Sequence, residues 1–313
     1  MAKELQQTIL LSTDWDKSLS PENMQEALFR RLNLNPNEVW AESARYIIEL
    51  DYFDREAYLA VMVDAAQGIT RLNNPNRNLE KLRGLTNQMV HDAGADIPLY
   101  KGLHKNDPFN FLRGLKQQSI SGNGLEGITV KIAVNTTGNK AMVLGSKAYT
   151  PEIVDYVFGA EFVENNDGII CGYKNAIGAQ DKASILHSLS KGAIDNPDLS
   201  VNDTVPEEER VIPFFNIIHM GDSGAFGTDH AAWAALEHYA VNSHSDRLPG
   251  RIALYDPDDE ESKAKARKYY EEGRVQYFTP ADFSRDSKTS DLINEMIYEM
   301  AIHAKRRNEY RFE

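Results

Sequence analysis

Residues 10–21 read LLSTDWDKSLSP. A short apolar and β-branched run, Thr8 to Thr13, ends directly in Asp14, and a second carboxylate, Asp16, follows two residues later. Such a run predicts a buried parallel strand, and open α/β sheets bind their ligands at the C-terminal edge of such strands. Residues two apart at a strand end face the same way, so Asp14 and Asp16 are expected to converge on one site. Two crowded carboxylates repel each other and attract a cation.

Two plainer explanations of the stretch fall short. As a calcium loop, Asp14, Asp16 and Ser18 would take positions one, three and five, but the sixth position is Leu19 instead of Gly and the twelfth is Gln25 instead of Glu. As a helix start, Ser20 would be the N-cap and Pro21 the first helical residue, which leaves Asp14 and Asp16 unexplained.

Beyond Pro21 the texture changes. To about Lys116 the apolar residues recur at three- and four-residue spacing, which predicts a mostly helical block. Strand patterns resume at Ile128–Val134 (ITVKIAV), then at Gly168–Tyr173, Val211–Met220, Arg251–Tyr255 and Val275–Phe278, with helical stretches such as KASILHSLSKGA, AAWAALEHYAV and SKAKARKYYEE between them. Strands alternating with helices predict an α/β fold with a doubly wound, mostly parallel sheet, and the helical block is then an insertion after the first strand. The acidic run DPDDEES at 256–262 predicts a solvated loop and a helix N-terminus.

The balance of the chain narrows the chemistry. Its 313 residues carry 47 acidic and 34 basic side chains, a formal charge of −13, which is the wrong sign for general nucleic-acid binding. A single cysteine, Cys171, allows no intramolecular disulfide and too few thiolates for a Cys-based zinc site, as expected of a cytoplasmic protein. No signal-peptide pattern and no apolar run long enough for a membrane helix occurs. His219, His230 and His244 lie near one another in sequence, but their spacing fits no H-E-x-x-H helix and no ligand role is assigned to them.

Three later stretches complete what a site at Asp14 and Asp16 needs: Thr136 and Thr137 after ITVKIAVN, Lys182 opening KASILHSLSKG, and Asp222 ending FFNIIHMGD. In this order the set resembles the four motifs of the haloacid dehalogenase-like (HAD) hydrolase superfamily, and surrounding text such as GAEFVENNDGIICG and RVQYFTPADFS resembles its phosphoserine-phosphatase-like branch. The resemblance implies a Rossmannoid core over residues 1–20 and 126–313, with a helical cap of the first type at 21–125. It implies a Mg²⁺-dependent phosphatase acting on a small phosphorylated metabolite through an aspartyl-phosphate. Asp14 would be the nucleophile and Asp16 the general acid and base. Ser18, Thr136, Thr137, Gly138 and Lys182 would bind the phosphoryl group, with Thr136 and Lys182 also catalytic. Asp14, the Asp16 carbonyl, Asp222 and, less securely placed, Asp229 would hold the metal.

Two departures from the family pattern stand out. Lys17 follows the second aspartate where the superfamily usually has Gly, and the acidic motif, commonly GDGxTD, is lengthened here to GDSGAFGTD. A phosphotransferase or phosphonate-acting enzyme on the same scaffold, or a non-catalytic binding protein, are the alternatives. A dehalogenase would need neither Asp16 nor a metal. Gly122, Gly124 and Gly127 suit a hinge for the cap, and Arg45, Tyr46 and Tyr52 are cap residues of the kind that could read a leaving group.

Overall fold

The strand Gln7–Thr13 (β1) sits in the middle of a seven-stranded sheet because both its faces are apolar. Its alternate residues divide between two cores. Ile9 and Leu11 join a large cluster on one face, whereas Leu10 packs on the other with Leu186, Leu189 and Leu236. The computed structural model describes residues 7–73, 76–118, 127–196, 198–200, 202–206, 209–223, 227–242 and 248–310.

The remaining strands are Ile128–Asn139 (β2), Tyr156–Glu164 (β3), Ile170–Lys174 (β4), Ile217–Gly221 (β5), Gly250–Tyr255 (β6) and Tyr277–Pro280 (β7). They lie in the order β4-β3-β2-β1-β5-β6-β7, and only the β3–β4 pair is antiparallel. This is the expected mostly parallel, doubly wound α/β sheet.

Between β1 and β2 the described residues form five α-helices: Gln25–Arg31 (α1), Pro36–Leu50 (α2), Asp54–Gln67 (α3), Asn87–Ala93 (α4) and Phe111–Gln118 (α5). Their buried residues, such as Leu28, Leu59 and Leu112, belong to the same apolar cluster as Ile9 and Leu11 of β1. Lys140–Gly145 (α6) follows β2, and Ala179–Lys191 (α7) and Asp229–Asn242 (α8) cover the opposite face. Glu260–Glu271 (α9) and Lys288–Tyr310 (α10) complete the chain. No helix among the described residues is long and apolar enough to cross a membrane.

Several elements differ from the sequence expectation. Helix α1 begins at Gln25, not at Pro21; the Ser20 hydroxyl accepts only from the Glu22 amide, within a turn, because the chain from Asp14 to Met24 is used to shape the sheet edge. The run 211–220 becomes a strand only from Ile217. Pro213 has no amide to give a ladder, and a 3₁₀ turn occupies Phe214–Asn216. The GIICGY stretch is an antiparallel edge strand whose partner, β3, is absent from the sequence reading. The acidic run behaves as expected: Asp259 caps α9 by accepting from the Glu261 amide. Of the expected hinge glycines, Gly122 and Gly124 lie outside the described residues, and Gly127 has φ 80° at the entry to β2.

Candidate active site

Register brings the site together. Thr13 of β1 pairs with Val134 of β2 on one side and with Met220 of β5 on the other, so Asp14, Thr136 and Asp222 emerge at one edge of the sheet. The Asp14 amide still donates to the Met220 carbonyl at 2.9 Å, which fixes where β1 ends. The chain then reverses through Lys17, whose φ of 61° lies in the left-handed region that glycine adopts freely. Here an exposed lysine adopts it.

Asp14 is buried, and its Oδ1 accepts from the Trp15 amide at 2.8 Å and from Lys182 Nζ at 3.0 Å. No hydrogen bond to Oδ2 occurs among the described residues. Burial pushes the Asp14 carboxyl up to about 7, against the pull of the Lys182 ammonium, with Asp229 and Asp222 adding repulsion. Asp16 is pushed up to about 8 by burial and by the neighbouring Asp14, although its Oδ1 accepts from the Met24 amide at 2.8 Å. A carboxyl in that range holds a proton at neutral pH and can donate it.

Lys182, on the first turn of α7, is fully buried between two carboxylates. Its Nζ lies 2.8 Å from Asp229 Oδ1 as well as 3.0 Å from Asp14. Burial opposes its charge, but the two carboxylates outweigh burial and hold it above the ordinary lysine range. Asp229, at the start of α8, is held well below the carboxylate range: burial raises it, and Lys182 and His219 overcome that. All its bonding capacity on the protein side is used. Oδ1 meets Lys182 and His219 Nε2 (3.1 Å), and Oδ2 accepts from the Ser223 amide (3.2 Å) and hydroxyl (2.9 Å). The carboxylate packs so closely on Gly221 that a Cβ there would overlap it.

Asp222 is half-buried and is pushed up to about 6 by burial and by Asp229, with Lys265 at 3.8 Å pulling the other way. One oxygen each from Asp14, Asp222 and Asp229 lies within 4.8 Å of the others. Oxygen donors alone, with surplus negative charge and no thiolate, suit a hard divalent cation such as Mg²⁺. The donor set therefore fits a magnesium site, with Asp14 and Asp222 the carboxylates that have oxygens to spare.

Thr136 is fully buried in the C-terminal part of β2, and its hydroxyl accepts from the Gly138 amide at 3.0 Å, leaving its own proton to donate elsewhere. Thr137 is tied to the inserted helices: its carbonyl accepts from Tyr58 of α3 at 2.8 Å. The same helix contributes Arg55, whose Nη1 lies 2.7 Å from Asp181, next to Lys182. The hydroxyl of fully buried Ser18 has no partner among the described residues.

Arg45, Tyr46 and Tyr52 are engaged within the helical block. Arg45 pairs with Glu42 and Glu49, Tyr46 donates to buried Asp64, and Tyr52 packs on Tyr46. Tyr58 of the insertion reaches the edge, and the sequence reading singled out neither Tyr58 nor Ser223, while it considered His219 without giving it a role. A tyrosine in a helix buried on nearly all sides, and a histidine inside an apolar strand, carry no signal beyond core packing. His244 lies outside the described residues, and His219 uses both ring nitrogens in protein hydrogen bonds.

No family model matches the chain. An uncharacterized protein of Borreliella burgdorferi is 22% identical over 313 residues, covering 94% of this chain and 98% of that one. The crystal structure of a phosphoserine phosphatase in apo form superposes with a TM-score of 0.50 at 14% identity, covering 90% of this chain and 96% of that one. A HAD family hydrolase from Salmonella enterica serovar Typhi gives a TM-score of 0.45 at 17% identity, over 82% of this chain and 64% of that one.

Proposed function

We propose, on the premise of a fold shared with phosphoserine phosphatase, that the chain is a cytoplasmic phosphatase of the HAD-like type acting on a small phosphorylated metabolite. The observation that carries this reading is the pairing at the end of β1: a buried Asp14 held by Lys182 at 3.0 Å, beside an Asp16 whose carboxyl is pushed upward by burial and by Asp14. Phosphoryl transfer asks a protein mainly for positioning and charge stabilisation, and these side chains supply both.

In the first half-reaction the Asp14 carboxylate attacks phosphorus. The O–P bond of the aspartyl-phosphate forms as the bond to the leaving alkoxide breaks, and Asp16 gives that oxygen its proton. In the second, Asp16 as a carboxylate takes a proton from water. The resulting hydroxide equivalent attacks phosphorus, the acyl-phosphate O–P bond breaks, and Asp14 leaves as a carboxylate. The Thr136 hydroxyl, oriented by the Gly138 amide it accepts from, and the Lys182 ammonium stabilise charge on the transferring oxygens, with Gly138 part of the phosphate-binding surface. Thr137 and Ser18 belong to the same phosphate-binding surface. Asp14, the Asp16 carbonyl and Asp222 would hold Mg²⁺, which offsets repulsion between nucleophile and phosphate.

In this reading residues 21–125 are the cap over a core of 1–20 and 126–313. Tyr58 and Arg55 support it, since both join α3 to segments that carry site residues. Asp229, with both oxygens occupied, serves as the counter-ion of Lys182 and not as a metal ligand.

The test is phosphate release from a panel of small phosphate esters with and without Mg²⁺. Metal-dependent release that Asp14→Asn abolishes supports the reading. Folded, Mg²⁺-binding protein silent across the panel counts against it, and phosphoryl transfer to an added alcohol in preference to water favours the phosphotransferase alternative.

A further inference from the structure

His219 lies in the middle of β5, fully buried, three residues before Asp222. Its Nδ1 is 3.1 Å from the Ser12 hydroxyl of β1, and its Nε2 is 3.1 Å from Asp229 Oδ1. Asp229 accepts from the Lys182 ammonium and from the Ser223 amide and hydroxyl, the bonding of a carboxylate, so Nε2 is the donor; Ser12 can then give its proton to Nδ1. The result is an unbroken chain: Ser12, His219, Asp229, Lys182, Asp14.

The lengthened motif gives this chain a purpose. In the lengthened motif Asp229, the carboxylate that braces Lys182, stands seven residues after Asp222 in sequence. The ladder on both sides of a central strand fixes the backbone of its residues. His219 pairs in register with Ser12 on one side and Arg251 on the other. Its ring is further confined by Trp233, edge-on with centroids 6.4 Å apart, whose indole N–H donates to the His219 carbonyl at 3.4 Å.

We infer that His219 is a positioning residue: anchored to Ser12 behind it, it fixes the Asp229 carboxylate that holds the Lys182 ammonium against Asp14. Its catalytic consequence rests on the phosphatase reading, whereas its consequence for Lys182 does not. Lys182 has two carboxylate partners, and the one at the strand end, Asp14, must be free to react. A fixed Asp229 keeps the ammonium in place while Asp14 changes its bonding.

The test compares His219→Met, which keeps apolar bulk and removes both hydrogen bonds, with His219→Gln, whose amide can still donate to Asp229. Two readouts are taken: kcat for p-nitrophenyl phosphate at saturating Mg²⁺, and the Lys182 ammonium resonance in protein labelled with ¹⁵N-lysine, assigned by its loss in Lys182→Met. The expected result is a kcat lowered about 10–100-fold in His219→Met, the usual range for losing an outer partner of a reactive group, and substantially restored in His219→Gln. The ammonium signal broadens or moves in the Met variant and keeps its wild-type position in the Gln variant. Equal loss in both variants would reduce His219 to packing, and unchanged kcat and signal in His219→Met would overturn the inference while leaving the phosphatase reading intact. A wild type inactive on every ester, with the ammonium signal responding as predicted, would overturn the phosphatase reading and uphold the placement of Lys182 by His219.

Discussion

Lys182→Met should destabilise the metal-free protein strongly, and more so in base than in acid. The ammonium is fully buried, 3.0 Å from Asp14 and 2.8 Å from Asp229, and methionine fills much of the same space without the charge. Removing one member of a buried ion pair costs about 3–5 kcal/mol, because the partner is left uncompensated. The two partners do not share the loss equally. Asp229 keeps His219 and both Ser223 donors, whereas Asp14 keeps only the Trp15 amide, so the deficit falls on Asp14. That carboxyl then takes up a proton in the folded state, which the unfolded chain releases near 3.8. The folded variant therefore binds more protons than the unfolded one, and its stability falls as pH rises, by up to ~1.4 kcal/mol per unit for one proton. Urea unfolding in the presence of a chelator at about pH 5.5 and about pH 8, compared at constant m-value, measures this. We expect a loss of about 3–5 kcal/mol at the higher pH and a deficit smaller by about 2 kcal/mol at the lower. A loss below about 1 kcal/mol, or one that is the same at both pH values, would refute the buried-pair argument.

Two further outcomes follow from the same geometry. In the metal-free wild type, Asp14, Asp16 and Asp222 sit at about 7, 8 and 6 in the folded state against 3.8 when unperturbed. Their contribution to stability is complete below 3.8 and is lost as pH rises through about 6 to 8. Thermal unfolding between about pH 5 and pH 8 should show that decline, and excess Mg²⁺ should flatten it by stabilising the ionised forms; stability from these groups that increases with pH would contradict the assignment. Tyr58→Phe deletes the hydrogen bond to the Thr137 carbonyl. It should cost about 1–2 kcal/mol in urea unfolding and weaken inorganic phosphate binding measured by calorimetry, since the C-terminal part of β2 loses its brace; wild-type phosphate affinity in this variant would separate α3 from the phosphate site.

The central strand and its paired aspartates were legible because β1 is apolar on both faces and short, so its end is marked by the first charged residue. Lys182 was legible for the opposite reason, as a lysine in the first turn of a helix, in order with the other motifs. Strand β3 was not. Its YVFGAEFVE text is broken by Gly159, which sits where a Cβ would press within 2.9 Å of the Gly138 carbonyl, and its outer residues are exposed, so neither a continuous apolar run nor clean alternation survives. The bracing of Asp229 was hidden by distance along the chain. His219 looks like one polar residue in an apolar strand, and only the pairing of β5 with β1 brings it beside Ser12. Tyr58 was masked by its helix, in which every residue from Ala57 to Asp64 is buried and no amphipathic face points to a partner.

The most direct measurement is of the covalent intermediate itself. Enzyme mixed with a hydrolysed phosphate ester and Mg²⁺ is quenched rapidly in acid, digested, and its peptides weighed. One phosphoryl group on the peptide that contains Asp14, absent when Asp14→Asn is treated the same way, is the result this account predicts. Turnover without any phosphopeptide, or a phosphoryl group on another residue with Asp14→Asn still active, would contradict it.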